Sequence, residues 1–276
     1  MFKMKKKLIS IIQRKLKQNS SALVEQYFSK NEFTKTKFFY IDNLLPISIT
    51  QKIYEAFPKE IFPWDYNSSF RERGYGFAKL DEVDSMLSDI TEVFHNKEIL
   101  SLISGITKIN GLEADPTLYA SGISKLAKGN FINPHIDNSH DAYRKRYRRL
   151  NLLFYVTPHH KETDGGCLEL WDDKVLRPFK INSKFNRLVV METSNLTWHS
   201  VEPVTSIKPR LAISDYYFSK KSPSKTDYFH VTSFTGRPEQ RIKRIYGVID
   251  NYLRNTAAKV FKVGRGKNLR RPEAES

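Results

Sequence analysis

The sequence predicts a mainly β domain with flanking helices, its core a double-stranded β-helix of the jelly-roll, cupin-like type, and three observations carry that reading. From about Leu118 to Ser219, short β-branched and aromatic runs alternate with turn residues. Before and after that stretch, apolar residues recur at helical intervals instead. Hydrophobic residues make up 39% of the 276-residue chain and aromatic residues 13%, enough for one sizeable core.

In chain order, KFFYIDNLLP reads as a short strand ending in a turn. ISITQKIYEAFP reads as a helix with Ile49, Ile53 and Phe57 among its apolar positions. The polar, aromatic-rich stretch from Pro63 to Tyr75 reads as a loop. From Asp84 to Ile109, Met86, Leu87, Ile90, Phe94, Ile99 and Leu102 keep helical spacing with a break near His95 and Asn96, which predicts two helices backing a sheet. Seven strands follow at LYASGISKLA, RRLNLLFYVT, CLELWD, VLRPFKI, NRLVVMET, HSVEPV and PRLAISDYYFS, with turns such as Asp164-Gly165-Gly166 and Asn182-Ser183 between them. Beyond Arg237-Pro238, the residues Ile242, Ile245, Tyr246, Ile249, Tyr252, Leu253 and Val260 mark one face of a long amphipathic helix. The expected organisation is a basic leader over 1–30 with helical periodicity, a domain over 31–237 with its β core at about 118–219, a C-terminal helix over 238–262 packed on or next to the domain, and a basic tail over 263–276.

The formal net charge of +16 is concentrated at the ends. Residues 1–20 hold seven Lys or Arg and no acid, and residues 259–271 hold six and no acid, so the body is close to balanced. That placement disfavours nucleic acid as a partner. Leu8, Ile9, Ile12 and Leu16 fall at helical spacing among basic residues. This pattern suits either a helix lying on anionic lipid or a leader with one narrow apolar stripe docked on the domain. The apolar stretch Leu8 to Ile12 is too short for a signal-peptide core or a membrane span. Cys167 is the lone cysteine, which excludes an intramolecular disulfide framework and a Cys-based metal site. The expected location is the cytoplasm, with a peripheral place on the inner face of a membrane as the extension that the basic ends suggest.

The chemistry centres on NFINPHIDN. His135 and Asp137 stand two apart, and in an extended chain that spacing turns both side chains to one face. An imidazole and a carboxylate suit a borderline divalent ion, and His199 in TWHSV is the natural third ligand, leaving coordination positions open. An isolated H-x-D recurs in surface turns, so the weight lies in the joint pattern.

In that joint pattern, residues 131–218 resemble the prolyl-4-hydroxylase-like branch of the 2-oxoglutarate and Fe(II)-dependent oxygenase superfamily. The H-x-D is followed by an apolar strand (LNLLFYV), a Gly-Gly turn into a strand (GGCLELWD), an Asn-Arg entry to another (NRLVVMET), the distal His199, and Arg210 eleven residues later. The resemblance implies Fe(II), 2-oxoglutarate and dioxygen, with ascorbate as a reductant. It also implies that Arg210 grips the far carboxylate of 2-oxoglutarate, a role for which a guanidinium has the right paired donors. Ser214 shares a strand face with Arg210 and is a candidate pocket residue, although the family's R-x-S pattern puts serine where this chain has Ala212. Asn151, Tyr155 and Trp171 lie on strands around the pocket, where Asn151 is a candidate for hydrogen-bonding the co-substrate.

The implied activity is that of a dioxygenase that hydroxylates a substrate C–H while 2-oxoglutarate becomes succinate. Because Asp137 is retained, hydroxylation is favoured over halogenation. The substrate classes suggested are a peptidyl proline, a saccharide of a surface glycan, or another small molecule. The alternative is a non-catalytic, cupin-like metal-binding scaffold with basic tails. His95, His140, His159, His160, His230 and Asp141 rank below the trio as ligands and are expected in loops or near the mouth. The run Tyr143 to Arg149 reads either as an anion-binding segment or as a solvated lid flank.

Overall fold

The computed structural model describes residues 2–59, 62–115, 117–118, 121–224 and 228–260, so the basic tail over 263–276 lies outside the described residues. The chain opens with α1 (Phe2–Gln18) and α2 (Ser20–Phe28), followed by β1 (Phe38–Asp42) and α3 (Ile47–Glu55). A hairpin of β2 (Asp65–Ser68) and β3 (Glu72–Phe77) precedes α4 (Ser85–Phe94) and α5 (Lys97–Thr107). Ten strands follow: β4 (Glu113–Ala114), β5 (Gly122–Leu126), β6 (Phe131–Ile136), β7 (Tyr147–Tyr155), β8 (Leu168–Trp171), β9 (Pro178–Ile181), β10 (Arg187–Glu192), β11 (His199–Val201), β12 (Arg210–Ser219) and β13 (Ser233–Phe234). The helix α6 (Arg241–Val260) comes last. The break expected near His95 and Asn96 is a cap: the Asn96 side chain accepts a hydrogen bond from the Glu98 amide at 3.0 Å, as Asp84 does from the Met86 amide at 2.7 Å for α4.

The strands form one curled antiparallel sheet in the order β1-β10-β7-β12-β5-β3-β6-β11-β8-β9, with β2 on β3, β4 on β12 and β13 on β6. Period-two alternation sorts its side chains into two cores. In β10, Leu188 and Val190 join the layer beneath the helices, while Val189 and Met191 point into the cup. In β7 the helix-side set is Leu150, Leu152 and Phe154, and the cup-side set includes Leu153 and Tyr155, which puts Asn151 on the cup side too. In β12, Leu211 and Ile213 back onto helices, while Ala212 faces the cup between Arg210 and Ser214.

The leader is part of this outer layer. Leu8, Ile12 and Leu16 are completely buried, Lys5 ion-pairs with Asp89 at 3.3 Å and with Glu92, and Gln13 bonds Glu98. Of the two uses its narrow stripe permits, docking on the domain is the one observed, and the apolar residues are not available to lipid. Ile12→Ala is therefore expected to cost about 2–5 kcal/mol of stability by chemical denaturation, as core truncations do.

Two expectations need correction. The stretch from Pro63 to Tyr75 is not a loop but carries the β2–β3 hairpin, and β3 fills the space between β5 and β6, with Tyr75 opposite Lys125 and Glu72 opposite Ile132. Its sequence, ERGYGF, shows no alternation because packing requires glycine: a Cβ on Gly74 would lie 2.4 Å from Leu126 Cδ2. The second concerns α6, which lies next to the domain through its polar side rather than its apolar face. Ile242, Ile245, Val248, Ile249, Tyr252 and Leu253 are between 54% and 84% exposed.

Candidate metal centre

The sheet brings β6 and β11 side by side with His199 opposite His135 in register. Asp137 follows directly after β6, and one donor atom from each of the three residues lies within 4.8 Å of the others. His135 Nε2 is 3.7 Å from Asp137 Oδ1 and His199 Nε2 is 3.5 Å from Asp137 Oδ2. Each imidazole is oriented through its other nitrogen. His135 Nδ1 lies 2.9 Å from the Asn133 carbonyl oxygen and His199 Nδ1 lies 3.1 Å from that of Thr197. A carbonyl oxygen only accepts, so each Nδ1 carries the proton and each Nε2 presents a lone pair. Among the described residues no second His, Cys, Asp and Glu group of this kind is found.

Electrostatics leave His135 and Asp137 in their ligating states. Burial, helped by the neighbouring His199, pushes the His135 imidazole down to about 3. Burial alone would raise the Asp137 carboxyl, but Arg148, with Nη1 3.3 Å from Oδ2, and then His199 outweigh it and hold the group well below the usual range. At neutral pH, His135 is neutral and Asp137 is anionic, as metal binding requires.

Asn151, expected at the co-substrate, is instead committed through its amide nitrogen, which donates to Asp137 Oδ2 at 2.6 Å. Its Oδ1 is buried without a partner. The Phe234 ring stacks on His135 at 4.9 Å, and the Arg148 guanidinium lies 4.1 Å from the Tyr216 ring centroid. Asn151→Leu should therefore lower metal affinity by about 10–100-fold, the range found when a partner that orients a ligand is removed. Isothermal titration with Fe(II) or a redox-inert substitute under argon checks this.

Arg210 opens β12 on the cup side and is 3% exposed. Its Nε donates to Ser183 Oγ at 3.2 Å, Ser183 donates to the Gly166 carbonyl at 2.6 Å, and the guanidinium lies 4.8 Å from the Tyr155 ring centroid. The Gly165-Gly166 turn is needed at this spot. Both residues have positive φ, and a Cβ on Gly166 would come 3.4 Å from the Arg210 side chain. The Tyr155 hydroxyl is buried beside Arg210 and Ser183, and burial raises its pKa, so it keeps its proton. Ser214 lies on the same face, half-buried, opposite Leu153 of β7.

Several residues serve the structure. Trp171 donates to Ser200 Oγ at 2.7 Å, which bonds Glu169, itself paired with Arg237 at 2.7 Å. His95, His140 and His160 are not solvated. His95 pairs with Asp215 at 2.9 Å, His140 Nδ1 meets Ser139 Oγ at 2.8 Å, and His160 Nε2 meets the Gly165 carbonyl at 2.9 Å. The arginines of the basic run 143–149 are engaged within the protein, while Tyr143 and Lys145 are exposed. Arg146 pairs with Asp141 at 2.7 Å and Glu113 at 3.5 Å, Arg144 lies 3.8 Å from the Phe229 ring centroid, and Arg149 donates to Ser219.

Sequence reasoning missed Arg148, Phe234 and Ser183 as parts of this site. Strict alternation from Asn151 would leave Arg148 on the opposite face. A bulge between its pairing with Phe218 and the Leu150–Tyr217 pair reverses the parity.

Compared with known proteins, residues 121–218 match the family profile described as the 2OG-Fe(II) oxygenase superfamily. No curated protein sequence matches the chain. Among solved structures, a prolyl hydroxylase from Trichoplax adhaerens, in complex with a hypoxia inducible factor oxygen degradation domain peptide fragment, superposes with a TM-score of 0.51 at 17% identity, covering 75% of this chain and 92% of that one. A Pseudomonas putida prolyl-4-hydroxylase gives 0.50 at 14% identity, covering 73% and 100%. Prolyl 4-hydroxylases from Phytophthora capsici give 0.53 at 15% identity, covering 91% and 77%. These likenesses show the fold.

The superfamily's set of Fe(II), 2-oxoglutarate and dioxygen fits the residues present. Two Nε2 lone pairs and one carboxylate are the donors a ferrous ion takes while keeping positions open. A buried guanidinium with no acid at ion-pairing distance among the described residues, next to a buried tyrosine hydroxyl, is a site for a carboxylate. Residues 121–218 thus carry the profile of the 2OG-Fe(II) oxygenase superfamily on a fold shared with prolyl hydroxylases.

Proposed function

We propose that the protein is a 2-oxoglutarate-dependent hydroxylase in which His135, Asp137 and His199 hold Fe(II) and Arg210 anchors the co-substrate. The observation that carries this reading is the pairing of a buried, ligand-ready trio with a buried guanidinium that lacks an acidic partner. When bound, Fe(II) with 2-oxoglutarate and dioxygen supplies a two-electron oxidation in which the keto acid leaves as succinate and carbon dioxide and one oxygen atom enters a substrate C–H bond.

The chain's own contribution is position. Asn151 and Arg148 fix the Asp137 carboxylate, the backbone carbonyls of Asn133 and Thr197 fix the imidazoles, and Phe234 covers one face of His135. In this reading the Tyr155 hydroxyl donates beside Arg210 to the far carboxylate and Ser214 lines the same face, supported by the guanidinium lying 4.8 Å from the Tyr155 ring centroid. The carboxylate of Asp137 would serve as the third donor, and its presence favours hydroxylation over halogenation.

A peptidyl proline is the first substrate class, supported by the prolyl hydroxylases among the fold neighbours, and a saccharide is the second. The single cysteine is buried, in keeping with a reducing cytoplasm. The test is a succinate-release screen over proline peptides, saccharides and amino acids, with Fe(II), 2-oxoglutarate and ascorbate present and mass spectrometry following the gain of one oxygen atom. Coupled succinate release with any of these classes supports the reading. Fe(II) binding with no consumption of 2-oxoglutarate across the screen would assign the barrel to the non-catalytic scaffold class instead.

A further inference from the structure

The helix α6 is docked inside out. Its polar side meets the protein: Asn251 donates to the Phe234 carbonyl and accepts from the Phe234 amide, both at 2.9 Å, Asn255 accepts from the Val231 amide at 3.1 Å, and Arg254 donates to the Thr232 carbonyl at 3.0 Å. Arg71 pairs with Asp250 at 2.6 Å, and Gly247 is buried so closely that a Cβ there would lie 2.6 Å from the Phe234 carbonyl oxygen. These contacts fix the rotation of the helix about its axis. The outward side then carries Ile242, Ile245, Val248, Ile249, Tyr252 and Leu253, each more than half exposed, on a helix roughly 30 Å long. Scattered exposed apolar residues are ordinary, but a contiguous aliphatic and aromatic stripe on one helix marks an interaction surface.

We propose that this face of α6 docks on an anionic membrane surface. Charge selects that occupant. The segment 259–271, which begins in the last turn of α6, holds six Lys or Arg and no acid. An anionic bilayer attracts such a segment while its acyl boundary takes up the apolar stripe. A second copy of this chain would instead bring two like-charged segments, on two chains of formal net charge +16 each, together. Among the described residues no helix is long and apolar enough to cross a membrane, so α6 lies on the surface rather than spanning it. The stripe of α1 is already buried, and among the described residues α6 carries the contiguous apolar face that can reach lipid.

The full chain is tested by flotation with phosphatidylcholine vesicles containing about one-third phosphatidylserine, and with phosphatidylcholine alone. Binding is expected to the anionic vesicles, weakening as salt is raised. The triple variant Ile245→Ser, Ile249→Ser, Leu253→Ser should lose at least about tenfold in partitioning while keeping its melting temperature, because all three side chains are exposed. An environment-sensitive fluorophore on Leu253→Cys should shift to the blue on vesicle addition. Three results overturn the proposal: a chain that stays monomeric and free of vesicles, a dimer that the triple variant dissociates, or a triple variant that binds vesicles like the parent, which would assign adsorption to the basic tail alone.

Discussion

Asp137→Ala and His199→Ala are each expected to bring oxygen-dependent succinate release to background, with metal affinity falling by more than the roughly 100-fold that loss of a ligand's supporting partner produces. The reason is geometric. The two Nε2 atoms stand 3.7 and 3.5 Å from the two Asp137 oxygens, so removing any one of the three leaves only two donors for an ion that needs three fixed ones to keep its open positions facing the cup. Asp137→Ala has a second effect, because Arg148 is 2% exposed and loses the carboxylate that its guanidinium faces. His199→Ala leaves that pair intact. The two variants should therefore differ in stability without metal, with Asp137→Ala the lower, while both lose turnover. Differential scanning fluorimetry of metal-free protein separates these outcomes.

Arg210→Met should raise the KM for 2-oxoglutarate by about 30-fold or more with a smaller change in kcat. Truncating one side of a buried charge-assisted pair costs about 2–5 kcal/mol, and each 1.4 kcal/mol is a factor of ten. The sign of the stability change is the discriminating readout. With no acid partner among the described residues, the Arg210 charge is compensated by little more than Ser183 and the Tyr155 ring. Replacing it with an apolar side chain of similar length should leave the co-substrate-free protein as stable as the parent or more so. A purely structural arginine would behave in the opposite way, losing stability with no selective effect on co-substrate affinity. Arg210→Lys should recover part of the loss, since an ammonium keeps the charge but not the paired donors.

How much of this was legible in the sequence depends on whether the cause is local. His135 and Asp137 stand two apart in an extended run and His199 opens a strand, so the three could be named from spacing and ligand chemistry, whereas Arg210 was named from the family resemblance. The helix break at Asn96 was legible for the same reason, since its cap acts within two residues. Features set by distant partners were not. The hairpin β2–β3 becomes part of the sheet only because residues 123–132 supply its neighbours, and Gly74 is required there by Leu126. Arg148 reaches Asp137 because a bulge opposite Phe218 reverses the alternation that would otherwise turn it away. Periodicity in α6 identified the apolar face but not its direction, which is set by Asn251 and Asn255 meeting backbone groups of residues 231–234. The narrow stripe of α1 fitted two uses, with docking on the domain favoured by its narrowness, and Leu8, Ile12 and Leu16 are buried there.

Anaerobic titration of the full chain with Fe(II) and then 2-oxoglutarate, followed by visible absorption, tests the central claim most directly, because a keto acid chelating ferrous iron produces a weak charge-transfer band that neither component has alone. The band should form at one equivalent of each in the parent, be absent in His199→Ala, and need far more 2-oxoglutarate in Arg210→Met. A parent chain that binds Fe(II) at His135, Asp137 and His199 yet shows no band at saturating 2-oxoglutarate would contradict the assignment of this cup to the keto acid.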